Sequence, residues 1–262
     1  MEPAHANKNR RRGIYFLPNL LTTAALFAGF YAIVAATQSK FEIAAIAIFV
    51  AMILDGLDGR VARWTNTQSD FGAQYDSLSD MVSFGLAPAL VMYEWVLHSM
   101  GKVGWVAAFI YTAAAALRLA RFNTQVGVAD KRYFQGLPSP SAAAMVTAFV
   151  WLGHVNDVVI RHYSLAAMIL TVVAGLLMVS NIRYHSFKGF DVRSKVPFIA
   201  VVAVVLTIAV LNSDPPLMLF VGFLLYALSG PVLTLWQLQR KRRARRKGGA
   251  NHDNKQDLEK GA

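Results

Sequence analysis

Asp55 and Asp58 stand three residues apart, Asp76 and Asp80 stand four apart, and all four lie on or beside long apolar runs. A charge at membrane depth is expensive and needs a partner, which makes such a residue functional by default. Three-residue spacing puts two side chains ~60° apart around a helix and four-residue spacing ~40°, so each pair shares one helix face. Eight residues, Trp64 to Phe71, join the two acidic stretches. A connection that short lets the two faces converge. Four converging carboxylates would repel one another, and divalent cations remove that cost. Oxygen donors without His or Cys favour Mg²⁺ or Mn²⁺. Two such ions on a diphosphate stabilise the attacking and leaving oxygens of a displacement. Gly59 and Ala62 leave the helix surface open to a bulky ligand, Gly72 permits close helix approach, and Arg63 can pair with phosphate or with an acid. Each of these glycines is also compatible with helix packing alone.

The elements that must carry these groups are membrane helices. Of 262 residues, 55% are hydrophobic and none is cysteine, so disulfides and thiolate chemistry are excluded. Apolar runs over roughly 14–36, 41–62, 73–98, 103–122, 141–158, 164–182, 196–211 and 215–236 predict eight helices in an all-α, polytopic membrane bundle. The runs are too long for strands and lack a period of two. The first run lacks a small-residue cleavage site and is read as a retained helix, not a leader. Lys and Arg divide 23 to 3 between alternate connecting segments, with only Lys40, Lys102 and Arg161 in the poorer set. That asymmetry places both termini in the cytoplasm and the acids at the cytoplasmic ends of the second and third helices. The expected organisation is a basic lead-in over 1–13, a membrane body over 14–238 and a basic tail over 239–262. The net charge of +11 is concentrated at the ends and between spans, which fits topology and anionic lipid and argues against nucleic acid.

The pattern Asp-x2-Asp-Gly-x2-Ala-Arg-x8-Gly-x3-Asp-x3-Asp, spanning Asp55 to Asp80, resembles the signature of the CDP-alcohol phosphotransferases at all eight fixed positions. Such enzymes transfer a phosphoryl-containing group from a CDP-linked donor to an alcohol and release CMP. The resemblance implies that Asp55, Asp58 and Asp76 bind metal, two ions of Mg²⁺ or Mn²⁺. It implies that Asp80 both touches metal and acts as general base, and that Gly59, Ala62 and Arg63 line the CDP site. It also implies a homodimer.

The flanking residues are similar to the branch of that family that makes phosphatidylserine. They are Leu17-Pro18-Asn19-Leu20-Leu21-Thr22, Gln74 to Gly85, Arg118-Leu119-Ala120-Arg121-Phe122-Asn123 and Gly136-Leu137-Pro138-Ser139-Pro140. The implied reaction takes CDP-diacylglycerol and L-serine to phosphatidylserine and CMP at a bacterial-type cytoplasmic (inner) membrane. An archaeal-type lipid donor fits the same motifs. Arg118 and Arg121 could hold the serine carboxylate, anchor a helix end or bind lipid phosphate. Asn19 and Thr22 could contact the nucleotide or cap the first helix after Pro18. Lys188 is a candidate for lipid phosphate. The alternatives are another acceptor, such as glycerol 3-phosphate, inositol phosphate or choline, or a cation transporter.

Overall fold

The computed structural model describes residues 6–124, 133–156, 160–185, 213–234 and 236. The expected span 196–211, the basic tail, Lys131, Arg132, Lys188, Arg193 and Lys195 lie outside the described residues.

Helix α1 (Ala6–Thr37) and helix α2 (Phe41–Trp64) form an antiparallel pair joined at Gln38 to Lys40. Their contact is built from small side chains: Ala25, Ala28, Ala32, Ala35 and Ala36 on α1, and Ala44, Ala45, Ala47 and Ala51 on α2, all buried. Small residues let two backbones approach closely where lipid provides no hydrophobic drive. The hairpin geometry brings the far end of α2, with Asp55 and Asp58, back beside the first turns of the apolar part of α1. Pro18 sits inside α1, so the helix does not begin after it as expected. The Thr22 and Thr23 hydroxyls instead donate back to the Pro18 and Asn19 carbonyls, at 3.1 and 2.7 Å.

The third apolar run is one helical path in several pieces. Ser69 caps α3 (Asp70–Asp80), its hydroxyl accepting the Gly72 N–H at 3.0 Å. A π-helical turn over Met81–Leu86 follows, then α4 (Ala87–Trp95) and a 3₁₀ turn over Leu97–Met100. Helix α5 (Lys102–Thr124) returns along the π-helical turn. Helices α6 (Ser139–Val155) and α7 (Ile160–Val179) and a last helix α8 (Pro215–Thr234) complete the described bundle. Phe84, Met92, Tyr111, Met145, Met178 and Tyr184 are fully buried within it.

One feature departs from expectation. Three-residue strands pair antiparallel across two segments that lie between the apolar runs, β1 (Tyr133–Gln135) with β2 (Arg183–His185). Backbone groups near a packed bundle need partners, and this pairing provides them locally. Among the described residues three helices are long and apolar enough to cross a membrane, Leu17–Thr37, Lys102–Thr124 and Pro215–Thr234. Helix α2 is as long but carries Glu42, Asp55, Asp58, Arg60 and Arg63, the third run is divided, and α6 has 17 residues.

The strand pairing ends in a turn that only glycine fits. Gly136 has φ 77°, its N–H donates to the Ile182 carbonyl at 2.8 Å, and an added Cβ would collide with the Met178 carbonyl. Gly136→Ala should therefore cost roughly 2–4 kcal/mol of stability, from left-handed strain and overpacking together. Thermal unfolding in detergent reads this directly, and a wild-type midpoint would contradict the packing described.

Candidate active site

Asp55 on α2 and Asp76 and Asp80 on α3 each direct a carboxylate oxygen to one place, all within 4.8 Å of one another. The α1–α2 hairpin and the capped start of α3 produce this convergence. Asp55 and Asp80 lie within hydrogen-bond reach of each other, which two carboxylates tolerate only with a shared proton or a cation between them. Asp80 Oδ1 is buried without a hydrogen-bond partner among the described residues. A cluster of hard oxygen donors with an unsatisfied buried ligand atom fits a divalent cation.

Asp58 is placed differently from the other three acids. It is 4% exposed, and its Oδ2 accepts the Thr22 hydroxyl at 2.6 Å. Ser79 donates to the Thr22 carbonyl at 3.2 Å, so Thr22 ties α1 to both acidic helices. Thr22 thus touches an acid directly, and it does not cap a helix.

The remaining predicted residues fall into three neighbourhoods. Gly56 and Gly59 face open space, and Arg63 Nε donates to the Gly59 carbonyl at 2.9 Å, with Ala62 half-buried on the same stretch. Gly72 lies against Asn19, since a Cβ there would stand 3.5 Å from Asn19 Oδ1. Arg118 is within electrostatic reach of Asp80; it donates to the buried Ser139 hydroxyl at 2.7 Å, and its Nε is buried without a partner among the described residues. Arg121 points elsewhere, to Asn181 at 3.3 Å. The two arginines therefore do not form one cation site.

Several residues at the site carry no spacing signal of their own. Ser139 holds Arg118, Asn123 and Ser77 exchange hydrogen bonds at 3.0 and 3.2 Å, and Thr23 shares one with Tyr75 at 2.9 Å. All but Thr23 lie in the flanking segments that resemble a family branch, which was the only sequence signal for them.

A helical bundle with segments long and apolar enough to cross a membrane carries a carboxylate cluster fit for divalent cations, with the half-buried Arg118 within electrostatic reach, a set of groups suited to phosphate transfer. Residues 15–180 match the CDP-alcohol phosphatidyltransferase family. The chain is 36% identical over 216 residues to the CDP-diacylglycerol–serine O-phosphatidyltransferase of Helicobacter pylori (strain ATCC 700392 / 26695), covering 82% of this chain and 90% of that protein. The enzyme of the same name from Mycobacterium tuberculosis (strain ATCC 25618 / H37Rv) is 42% identical over 150 residues, 54% of this chain and 52% of that protein. An archaetidylserine synthase from Methanothermobacter thermautotrophicus is 31% identical over 175 residues, 66% of this chain and 71% of that protein. The chain belongs to the CDP-alcohol phosphatidyltransferase family and is an integral membrane protein. That family is divalent-metal dependent, and the acidic cluster of this chain could bind such a metal.

Proposed function

We propose that this chain transfers the phosphatidyl group of CDP-diacylglycerol to the hydroxyl of L-serine, giving phosphatidylserine and CMP. The observation that carries the reading is the placement of Asp80, beside two further carboxylates and within electrostatic reach of the half-buried Arg118 guanidinium. Relatives named for serine transfer over most of their length support the acceptor.

Asp55, Asp58, Asp76 and Asp80 would hold Mg²⁺ or Mn²⁺, two ions in all, which when bound neutralise the diphosphate and make CMP a good leaving group. Asp80 takes the proton from the serine hydroxyl, whose oxygen bonds to the β-phosphorus as the bond to the CMP oxygen breaks. Arg118 holds the serine carboxylate, a planar anion matched to its fork. Asn19, Thr22, Gly59, Ala62, Arg63 and Gly72 line the CDP site, while Arg121 and Lys188 are the candidates to bind lipid phosphate. The acyl chains stay in lipid and serine arrives from water, so the site belongs at a membrane surface. We place that surface on the cytoplasmic side of the inner membrane. This arrangement has eight spans over 14–238, both termini inside, a basic lead-in and tail, and two copies forming a homodimer.

Purified protein given CDP-diacylglycerol and one alcohol at a time tests the acceptor. CMP should appear with serine, and not with glycerol 3-phosphate, inositol phosphate or choline. Release with glycerol 3-phosphate and none with serine would overturn the reading. CMP formation in detergent, where no gradient exists, also separates this chemistry from ion transport.

A further inference from the structure

The helical path from α3 to α4 is π-helical immediately after Asp80, and the cause is visible in the chain. Pro88 has no N–H to give the carbonyl four residues back, that of Phe84, and its ring crowds that carbonyl. The path responds by widening, with the Ala87 N–H reaching the Val82 carbonyl five residues back. The Phe84 carbonyl is left within a fully buried part of the bundle, where an unsatisfied acceptor is costly. The Tyr111 hydroxyl, on α5 and fully buried, donates to it at 3.0 Å.

The turn matters for the acids because α4 is anchored in the core. A one-residue widening rotates the helix before it by about 100° relative to the helix after it. Ala87, Val91, Met92 and Trp95 are buried and fix the phase of α4. The direction of Asp76 and Asp80 is therefore set by whether the π turn is present. In an unbroken α-helix, Asp80 would stack on the face of Ala87 and Val91, in line with the core and turned from Asp55. Helix α5 grips the turn further: Ala115 closes on Gly85, where an added Cβ would stand 3.1 Å from the Ala115 Cβ. Two turns beyond Tyr111, the same helix carries Arg118.

We infer that Tyr111 is a positioning residue for Asp80: by donating to the Phe84 carbonyl, to which Pro88 has no N–H to give, it holds the π-helical turn that aims the carboxylate at Asp55. The inference rests on Asp80 being the base of the proposed transfer, and concerns only how it is aimed.

The test compares the wild-type chain in detergent with Tyr111→Phe and Pro88→Ala, each melted, assayed for CMP release, and titrated with Mn²⁺ while free Mn²⁺ is followed by electron paramagnetic resonance. Tyr111→Phe should lower kcat about tenfold or more, weaken Mn²⁺ binding severalfold and leave both KM values within about twofold. Pro88→Ala restores an N–H for Phe84 and favours an unbroken helix. It should lose kcat and Mn²⁺ affinity while melting no lower than wild type, a combination that a merely structural role would not produce. Wild-type kcat and Mn²⁺ affinity in the folded variants overturn the inference, and if Tyr111→Phe does not fold, Pro88→Ala alone decides. If serine is not the acceptor, the wild-type assay fails first while the Mn²⁺ titrations still read the aim of Asp80, so the two failures are distinct.

Discussion

Asp80→Asn abolishes CMP release, with kcat falling by about 10³-fold or more, while the folded chain persists. Loss of a positioned general base alone removes about 10²–10⁴ in rate, and here the same side chain also faces two carboxylates that could hold a cation with it. The amide is nearly isosteric with the acid and keeps one oxygen. It also removes one of three converging negative charges. The melting temperature should therefore hold or rise, because like charges at close range oppose the fold. CMP release measured over a range of serine, with thermal unfolding run in parallel, checks both halves. Full activity in the variant would remove Asp80 from the base role and leave the acids as metal ligands only.

Arg118→Gln costs the acceptor specifically. The guanidinium is bound on one side to Ser139, lies within electrostatic reach of Asp80, and keeps a buried Nε for which no described residue is a partner. That unused donor is the one the serine carboxylate would take. Truncating one partner of a buried charged pair costs about 2–5 kcal/mol, which corresponds to roughly 30-fold to several-thousand-fold. The loss should appear in kcat/KM for serine, with KM for CDP-diacylglycerol within about threefold of wild type. Arg118→Lys keeps the charge but not the fork, and should recover only part of the activity. Serine kinetics unchanged in the glutamine variant would move carboxylate recognition elsewhere.

The acids were legible because chemistry demanded them: fixed spacing on two helices and a short connector sufficed to predict that their faces meet. The α1–α2 hairpin was legible from two adjacent apolar runs, 14–36 and 41–62, with a short break between them. What sequence spacing could not show was the division of labour. Asp58 looked equivalent to Asp55, yet one oxygen of its carboxylate accepts from Thr22, 36 residues away on another helix. Pairings of that kind depend on which faces of distant helices meet, and no local period encodes them. The two arginines likewise looked like a pair at three-residue spacing, but they bond to Ser139 and Asn181 on different elements. Pro88 was plainly present within an apolar run. Its consequence, a widened turn instead of a break, depends on a tyrosine hydroxyl brought by α5. The strand pairing was missed for the same reason, since three residues on each side carry too little pattern to stand out from loop.

The order of residues along the chain gives the strand pairing a further meaning. Domains and their parts assemble from the N-terminus as the chain is made. Asp55, Asp76 and Asp80 are complete within the first 80 residues, whereas Gly136 is closed by Ile182, Leu137 by Leu177 and Arg121 by Asn181. Once α5 is in place to hold the π-helical turn, the carboxylate cluster can therefore meet across α2 and α3 while Arg121 still awaits Asn181. A growing chain at that stage carries the three converging acids without the contacts that hold Gly136, Leu137 and Arg121. The short clasp between β1 and β2 is thus a late step, tied to arrival of the last third of the polypeptide.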